Sequence, residues 1–308
     1  MKISVLIATK DRADQLVRCI DSILKNNYDQ EYEVLVLDQS EDNRPRNLLK
    51  SLGSKRVVYI KSKVVGKTIA LNMGIERAKG EILAFTDDDC IVSKSWLKNI
   101  TMAMEKNKDV AGVFGNVLPY KPEANVGRYC PAVFLSPATK VFDDTRIVHY
   151  ISLGMGNNMA FRKHDVQEIG GFCPWLGPGR MALAGEEGEL VYRLLLGGKK
   201  LASVPKIVVW HNRWLSDMRH ELNNSFYTRA VVATCGYYFF DRTSGTHFRE
   251  MLKNRLRERL KIKISDFWFS AVNTAKELVY VVWEVGNLVL GLLIGLMTRA
   301  GELFRQGK

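Results

Sequence analysis

Three carboxylates stand in a row at Asp87-Asp88-Asp89, directly after the apolar run Ile82-Leu83-Ala84-Phe85-Thr86. Like charges at that spacing repel one another, so the run points to a cation at what reads as a solvent-facing strand end, with a solvated acidic turn as the alternative. Mg²⁺ or Mn²⁺ suits such a place, because either takes one or two carboxylate oxygens and keeps its other positions for phosphate oxygens and water. A second pair of acids, Glu186-Glu187, opens a segment of helical spacing. Leu190, Val191 and Leu194 define its apolar face. At about 100° per residue Glu187 falls near the centre of that face, Glu186 on its flank and Glu189 opposite. A glutamate turned inward at a helix start is more than a solubilising charge. Attraction to the helix macrodipole accounts for Glu189, and would serve for Glu186 as well.

A scaffold must bring these groups together, and the first half of the chain has a βαβ rhythm. Apolar runs at Ile3–Ala8, Glu33–Leu37, Val57–Ile60 and Ile82–Thr86 alternate with helix-like stretches at Ala13–Lys25 and Thr68–Lys79. In an open parallel sheet, ligands bind at the carboxyl ends of the strands. Here those ends carry Thr9, Asp38 and the aspartate triplet. Two phosphate-binding patterns fail. Gly66-Lys67-Thr68 resembles the end of a P-loop, but Lys61 stands where the first glycine belongs, and Gly154-Met155-Gly156 lacks a third glycine. ATPase and NAD-enzyme readings are excluded on these grounds.

The 308 residues, 46% hydrophobic and 25% charged, can bury the core of one large domain, or of one domain with an appendage. Five cysteines without CxxC spacing signal neither a disulfide framework nor a zinc site, and fit a reducing compartment. The first ten residues run into a strand without the pattern of a secretory signal, so a cytoplasmic location is expected. A net charge of +12 favours polyanions or an anionic membrane surface over neutral partners, and a basic solvated surface accounts for it equally.

Four pieces in order, SVLIATKDR, VLDQS, GKTIALNMGIERAKGEILAFTDDD and GGF…GEEGELVYRLLLGG, resemble the family 2 glycosyltransferases over about residues 3 to 212. The resemblance implies a GT-A fold: an α/β, Rossmann-like, mostly parallel central sheet with flanking helices. It implies inverting, metal-dependent transfer of a sugar from a nucleotide-diphosphate donor, a UDP-sugar foremost, with Mg²⁺ or Mn²⁺ as cofactor. Thr9 and Asp38 would contact the nucleotide base, and Lys67 and Asp88 would lie in the donor site. Asp87 and Asp89 would form the DxD motif, Asp87 near the ribose and also toward the metal, Asp89 on the metal. His211 matches a position that in some relatives reaches the metal; a structural histidine after a strand is the alternative. Glu186 and Glu187 would be the catalytic acids, with Glu187 the base. Asn157 and Asn158, in GMGNNMAFR, resemble the strand beside the acceptor; they would bond sugar hydroxyls or else satisfy a glycine-rich turn. Two positions depart from the pattern. Gln39 replaces a second acid after Asp38. Glu187 stands where aspartate is usual, a difference that moves the carboxylate by about 1 Å.

The expected organisation is a catalytic domain at 1–212, with a nucleotide-binding half at 1–117, an irregular insertion at 118–150 holding Pro119, Pro122, Pro131 and Pro137, and an acceptor half at 151–212. A helical region follows at 213–308. Its stretch Arg249–Lys263 carries seven Lys or Arg against two Glu. The cleanest apolar piece thereafter, Leu288–Met297, is ten residues long, short of the roughly 20 that span a bilayer. A basic-flanked helix pair lying on the cytoplasmic membrane face, peripheral or monotopic, is therefore expected; packing against the catalytic domain or in a homo-oligomer is the alternative. Processive relatives carry a QxxRW motif; here Arg213-Trp214 is present but Trp210 holds the Gln position, which implies addition of a single sugar. The acceptor expected is a glycan or lipid-linked glycan of cell-surface polysaccharide synthesis, and no nucleic acid is expected. Two other readings stand beside this one. A sugar nucleotidyltransferase would need a glycine-rich start, and ATKDRADQ has no glycine. A catalytically silent sugar-nucleotide scaffold would have no need of the retained acids.

Overall fold

The computed structural model describes residues 1–143, 153–242, 244–254, 257 and 274–306, with main chain alone at 217–225, 274–284 and 304–306. Among the described residues the strands form one nine-stranded sheet in the order β3-β2-β1-β4-β8-β6-β9-β5, with β7 paired on β9. The first four are β1 (Ile3–Thr9), β2 (Tyr32–Asp38), β3 (Val57–Lys61) and β4 (Ile82–Thr86). They run parallel, and the register sets Thr9 beside Asp38 and Asp38 beside Lys61 at their carboxyl ends. Parallel strands covered on both faces read as continuous apolar runs, and all of β4 and nearly all of β1 is buried.

Helix α1 (Ala13–Leu24) covers one face through Leu16, Cys19, Ile20 and Ile23, a spacing that makes a single apolar stripe. Helix α2 (Arg44–Ser51) leads to β3. Helix α3 (Lys67–Arg77) lies close against the other face. A Cβ at its Gly74 would sit 2.7 Å from Leu37 and 2.8 Å from Leu6, so only glycine permits that approach. The strand-helix pair β5 (Cys90–Val92) and α4 (Trp96–Lys106) was not legible in the sequence; three residues make no periodic signal.

The second half turns the sheet antiparallel. Strand β6 (Val110–Pro119) and β8 (Asn158–Arg162) pair antiparallel, β8 also joins β4 antiparallel, and β6 runs parallel to β9 (Lys200–His211). Within β9 the register against β6 jumps at Gly115/Asn116, from Val204 to Val208, and Pro205 lies in that bulge. A proline has no N–H for a ladder, so a bulge is where a central strand tolerates it. Helices α5 (Lys163–Glu168) and α6 (Glu186–Leu196) flank this half. The insertion expected to be irregular is partly built into the sheet: β7 (Lys140–Phe142) pairs with β9, and Phe134 bridges to Val117. Residues 144–152, the end of that insertion and the start of the expected acceptor half, lie outside the described residues.

The chain divides into two compact units, Met1–Pro174 with Glu186–Asp217, and Trp175–Gly185 with Met218–Lys308. The division thus falls a few residues beyond 212, and the segment Trp175–Gly185 groups with the C-terminal unit. The latter holds α7 (Asp217–Tyr238), a helix at 245–254 and α8 (Thr274–Gln306). Within α8 the stretch Val285–Leu303, 19 residues, is by length and composition long and apolar enough to cross a membrane. The ten-residue apolar piece Leu288–Met297 lies inside this longer helical stretch, which also takes in Asn287, Arg299 and Glu302.

Candidate donor and metal site

Thr9 ends β1, and its hydroxyl donates to Asp88 Oδ2 at 2.7 Å. Asp87, Asp88 and Asp89 make the turn from β4 to β5. Asp88 and Asp89 are only 4% and 6% exposed, so these two do not stand at the solvent-facing end that the charge suggested, while the Asp87 side chain is 31% exposed. Burial is tolerable because each acid has its own cation or donor. Arg12 bridges Asp88 (3.1 Å) and Asp89 (3.2 Å) through one nitrogen. Lys67, at the start of α3, pairs with Asp87 at 2.9 Å and with Glu186 at 3.3 Å. His211 Nε2 lies 3.3 Å from Asp89 Oδ1.

Electrostatics follow from this division. Burial, then the charge of Asp89, hold Asp88 up at about 6 in spite of Arg12 and Thr9. Burial works against ionised Asp89 too, but His211 and Arg12 outweigh it and its pKa falls below the usual range. His211 is lifted to about 10: burial opposes its charge, and bonds to Asp89, Cys130 and Pro131 overcome that. Burial likewise opposes charge on Lys67, and Asp87, Glu186 and Glu187 together raise it well above the normal lysine value.

The register of β5 against β9 is what delivers His211. Cys90 sits opposite His211, so the imidazole arrives beside the acid that precedes Cys90. Its Nδ1 donates to the Pro131 carbonyl at 2.7 Å, which turns Nε2 toward Asp89. Asp89 Oδ1 is buried and has no hydrogen bond beyond its ion pair with His211 at 3.3 Å. Ligand atoms of Asp89, Cys90 and His211 lie within 4.8 Å of one another. A carboxylate oxygen held only by an imidazole whose other nitrogen is anchored to a carbonyl is a donor set that fits a divalent cation.

The two acids of α6 take different environments. Gly185 precedes them with φ 84°, a left-handed turn that glycine adopts freely. Glu186 reaches Lys67. Glu187 is buried, its Oε2 has no hydrogen-bond partner, and burial followed by the charge of Glu186 lifts its pKa to about 8. The Gly156 main chain packs on this carboxylate so closely that a Cβ there would lie 3.1 Å from its Cδ and Oε1. Glu189 departs from the expectation of an outward acid. It is buried and holds Arg193 through two bonds of 2.5 and 2.6 Å, while Arg193 also donates to the carbonyls of Ile169 and Gly171. A salt bridge one turn on satisfies a charge that helical phase alone assigns to solvent.

Asn157 is buried with neither side-chain polar atom hydrogen-bonded. Asn158 is the opposite case. It accepts from Trp96 Nε1 at 2.9 Å and donates to the carbonyls of Asn116 (2.9 Å) and Ile207 (3.0 Å), so its capacity is spent tying β8 to β6 and the β9 bulge. Asp38 is also fully buried. It accepts from Ser40 N (2.8 Å) and Tyr59 (2.7 Å) and pairs with Lys61 (3.4 Å). Gln39, in place of an acid, accepts from Gly66 N at 2.6 Å. Arg12, Tyr59 and Cys130 were not singled out from the sequence. Arg12 alone left a signal there, as a cation three residues past the end of β1.

The family profile "Glycosyl transferase family 2" matches residues 4–170, over half of the chain, which therefore belongs to that family. Glycosyltransferase AglE of Haloferax volcanii is 28% identical over 120 residues, 37% of this chain and 39% of that protein. The GalNAc(5)-diNAcBac-PP-undecaprenol beta-1,3-glucosyltransferase of Campylobacter jejuni is 28% identical over 131 residues, 41% of each. The matched stretch thus spans about two fifths of the length of these curated relatives. Among solved structures, mannosyltransferase PcManGT from Pyrobaculum calidifontis, in complex with GDP-Man and Mn²⁺, superposes with a TM-score of 0.61 at 16% identity, covering 96% of this chain and 86% of that one. S. aureus TarS 1–349 in complex with UDP-GlcNAc gives 0.64 at 14% identity, covering 100% and 93%. The fold is GT-A.

Proposed function

We propose that the protein is an inverting glycosyltransferase that moves one sugar from a nucleotide-diphosphate donor, a UDP-sugar foremost, to a glycan or lipid-linked acceptor of cell-surface polysaccharide synthesis at the cytoplasmic membrane face. One observation carries the reading. Lys67 ties Asp87 to Glu186 in a single network, with Glu187, whose Oε2 accepts no hydrogen bond, beside it. Groups suited to hold a donor and a group suited to take a proton are thereby set at fixed spacing. Solved relatives hold GDP-Man with Mn²⁺ and UDP-GlcNAc, and a curated relative acts on an undecaprenol-linked glycan, which support the donor and acceptor classes.

In this reading Asp87 faces the ribose, Thr9 and Asp88 shape the donor site, and Asp38 acts through Tyr59 and Lys61, which it holds near the base. Asp89 and His211 would hold Mg²⁺ or Mn²⁺, which supplies positive charge to the leaving diphosphate when bound. Glu187 takes the proton of the acceptor hydroxyl as its oxygen bonds to the sugar's anomeric carbon. The carbon–oxygen bond to phosphate breaks on the opposite face, and its electron pair leaves with the nucleoside diphosphate. Asn157, with both polar atoms free, orients the acceptor beside Gly156.

A screen of nucleotide sugars with a membrane glycolipid extract, read by released nucleoside diphosphate and by the anomeric configuration of the product, tests this. Metal-dependent release with an inverted product is expected. Retention of configuration, or no turnover with any donor, would overturn it.

A further inference from the structure

Residues directly opposite in an antiparallel pair share a face of the sheet, with Cβ atoms about 4.5–5.5 Å apart. In the pairing of β5 with β9 those residues are Cys90 and His211. The turn before β5 adds Asp89, whose main-chain carbonyl accepts from Asn212 N at 2.8 Å and so fastens it beside the end of β9. A sulfur, an imidazole nitrogen and a carboxylate oxygen therefore converge within 4.8 Å of one another. The cluster is deep: Cys90 and His211 are 1% and 3% exposed.

The polar atoms around it are largely spent elsewhere. Asp88 gives Oδ1 to Arg12 and Oδ2 to Thr9. Arg12 also takes Asp89 Oδ2, which leaves Oδ1 on the His211 side. The imidazole commits Nδ1 to Pro131 and keeps Nε2 for the cluster. Two other thiols stand nearby with different roles. Cys19 donates to the Asp87 carbonyl at 3.4 Å. Cys130 lies 3.8 Å from Nδ1, the anchored nitrogen, and donates to the His211 carbonyl at 3.4 Å. Among the described cysteines, Cys90 is the one grouped with Asp89 and His211.

We propose that Cys90 is a third ligand of this site, and that the protein therefore binds Zn²⁺, or another thiophilic divalent cation, there in preference to Mg²⁺. Ligand type is the first reason. Mg²⁺ takes oxygens and keeps several waters, whereas a set of one sulfur, one nitrogen and one oxygen suits Zn²⁺. Charge is the second. A thiolate and a carboxylate balance a divalent cation beside a neutral imidazole, so the buried set carries no net charge of its own. As sulfur bonds to the metal, the thiol proton passes to solvent. Three protein ligands leave a tetrahedral ion one open position, while clamping both phosphates of a leaving diphosphate takes two. Zn²⁺ is thus expected to silence a site that works with Mg²⁺ or Mn²⁺. That silencing rests on the transfer reading; the binding does not.

The test titrates the full chain, with its thiols kept reduced, with Co²⁺ in place of Zn²⁺ and without donor or acceptor. A thiolate-to-cobalt charge-transfer band with the strong d–d absorption of a tetrahedral ion is expected. Zn²⁺ should bleach it, and Mg²⁺ should not. Cys90→Ser should abolish the band and weaken Zn²⁺ binding by more than about tenfold, while Cys19→Ser and Cys130→Ser keep the band. Asp89→Asn leaves every thiol in place and should weaken Co²⁺ binding by more than about tenfold, which decides the matter even where Cys90→Ser fails to fold. No charge-transfer band in the wild type, a band that survives Cys90→Ser, or Co²⁺ affinity unchanged in Asp89→Asn would each overturn the proposal. Absence of sugar transfer with any donor would sink the transfer reading and leave the cobalt result standing. Undiminished transfer by the Zn²⁺-loaded protein would overturn the silencing.

Discussion

Replacing Glu187 by Gln keeps the shape of the side chain and removes its capacity to take a proton. The carboxyl is buried beside Glu186 and is held at about 8 against an ordinary 4.5. At pH 7 it is therefore mostly protonated in the free protein, and kcat/KM of the wild type should climb about tenfold per pH unit until it levels near 8. The variant should lose roughly 10² to 10⁴ in rate, the range of general-base catalysis, and its residual rate should be flat across that limb. Stability gives a second reading of the same group. A carboxyl whose folded pKa is raised contributes stability present below about 4.5 and lost as pH rises through about 8. At 1.36 kcal/mol per pH unit of displacement, ionisation costs up to about 5 kcal/mol. Gln does not titrate, so the variant should gain on the wild type between pH 5 and 9 when urea midpoints are compared. An acid limb that persists in the variant, together with a stability difference independent of pH, would refute the assignment.

Asp89→Asn should weaken Mn²⁺ binding, read by electron paramagnetic resonance. It should also abolish a pH dependence of the metal-free protein: the raised His211 contributes stability fully present below 6.5 and lost as pH rises through about 10, and without Asp89 that loss should largely vanish. Arg12→Ala removes the cation shared by two buried acids. Breaking a buried pair costs about 3–5 kcal/mol, but Arg12 is 41% exposed, so about 1–2 kcal/mol is expected in urea unfolding, and an unchanged midpoint would sink the role. Gly156→Ala sets a methyl 3.1 Å from the Glu187 carboxyl; turnover should fall about tenfold or more while donor affinity holds, and equal kcat would show that this carboxylate need not stay in place.

What the sequence alone determined is what repeats locally. The buried parallel strands β1, β2 and β4 announce themselves as apolar runs, because a strand covered on both faces has no polar alternation, and the acids at their ends follow from chain order. The motif pieces in order were enough to place the chain in its family. The phase of α6 turned Glu187 inward, since 100° per residue is a property of the backbone. Tertiary structure alone decided which cation meets which acid. Arg12 reaches the triplet across 76 residues and His211 across a strand pairing with β5, a three-residue element without periodicity. Glu189 faces inward against its helical phase because Arg193 is there to receive it, and Asn158 is structural because Trp96 and the β9 bulge converge on it. Periodicity reports which side of an element is apolar; it carries no information on what stands opposite, and for buried charges the partner opposite decides both ionisation and role.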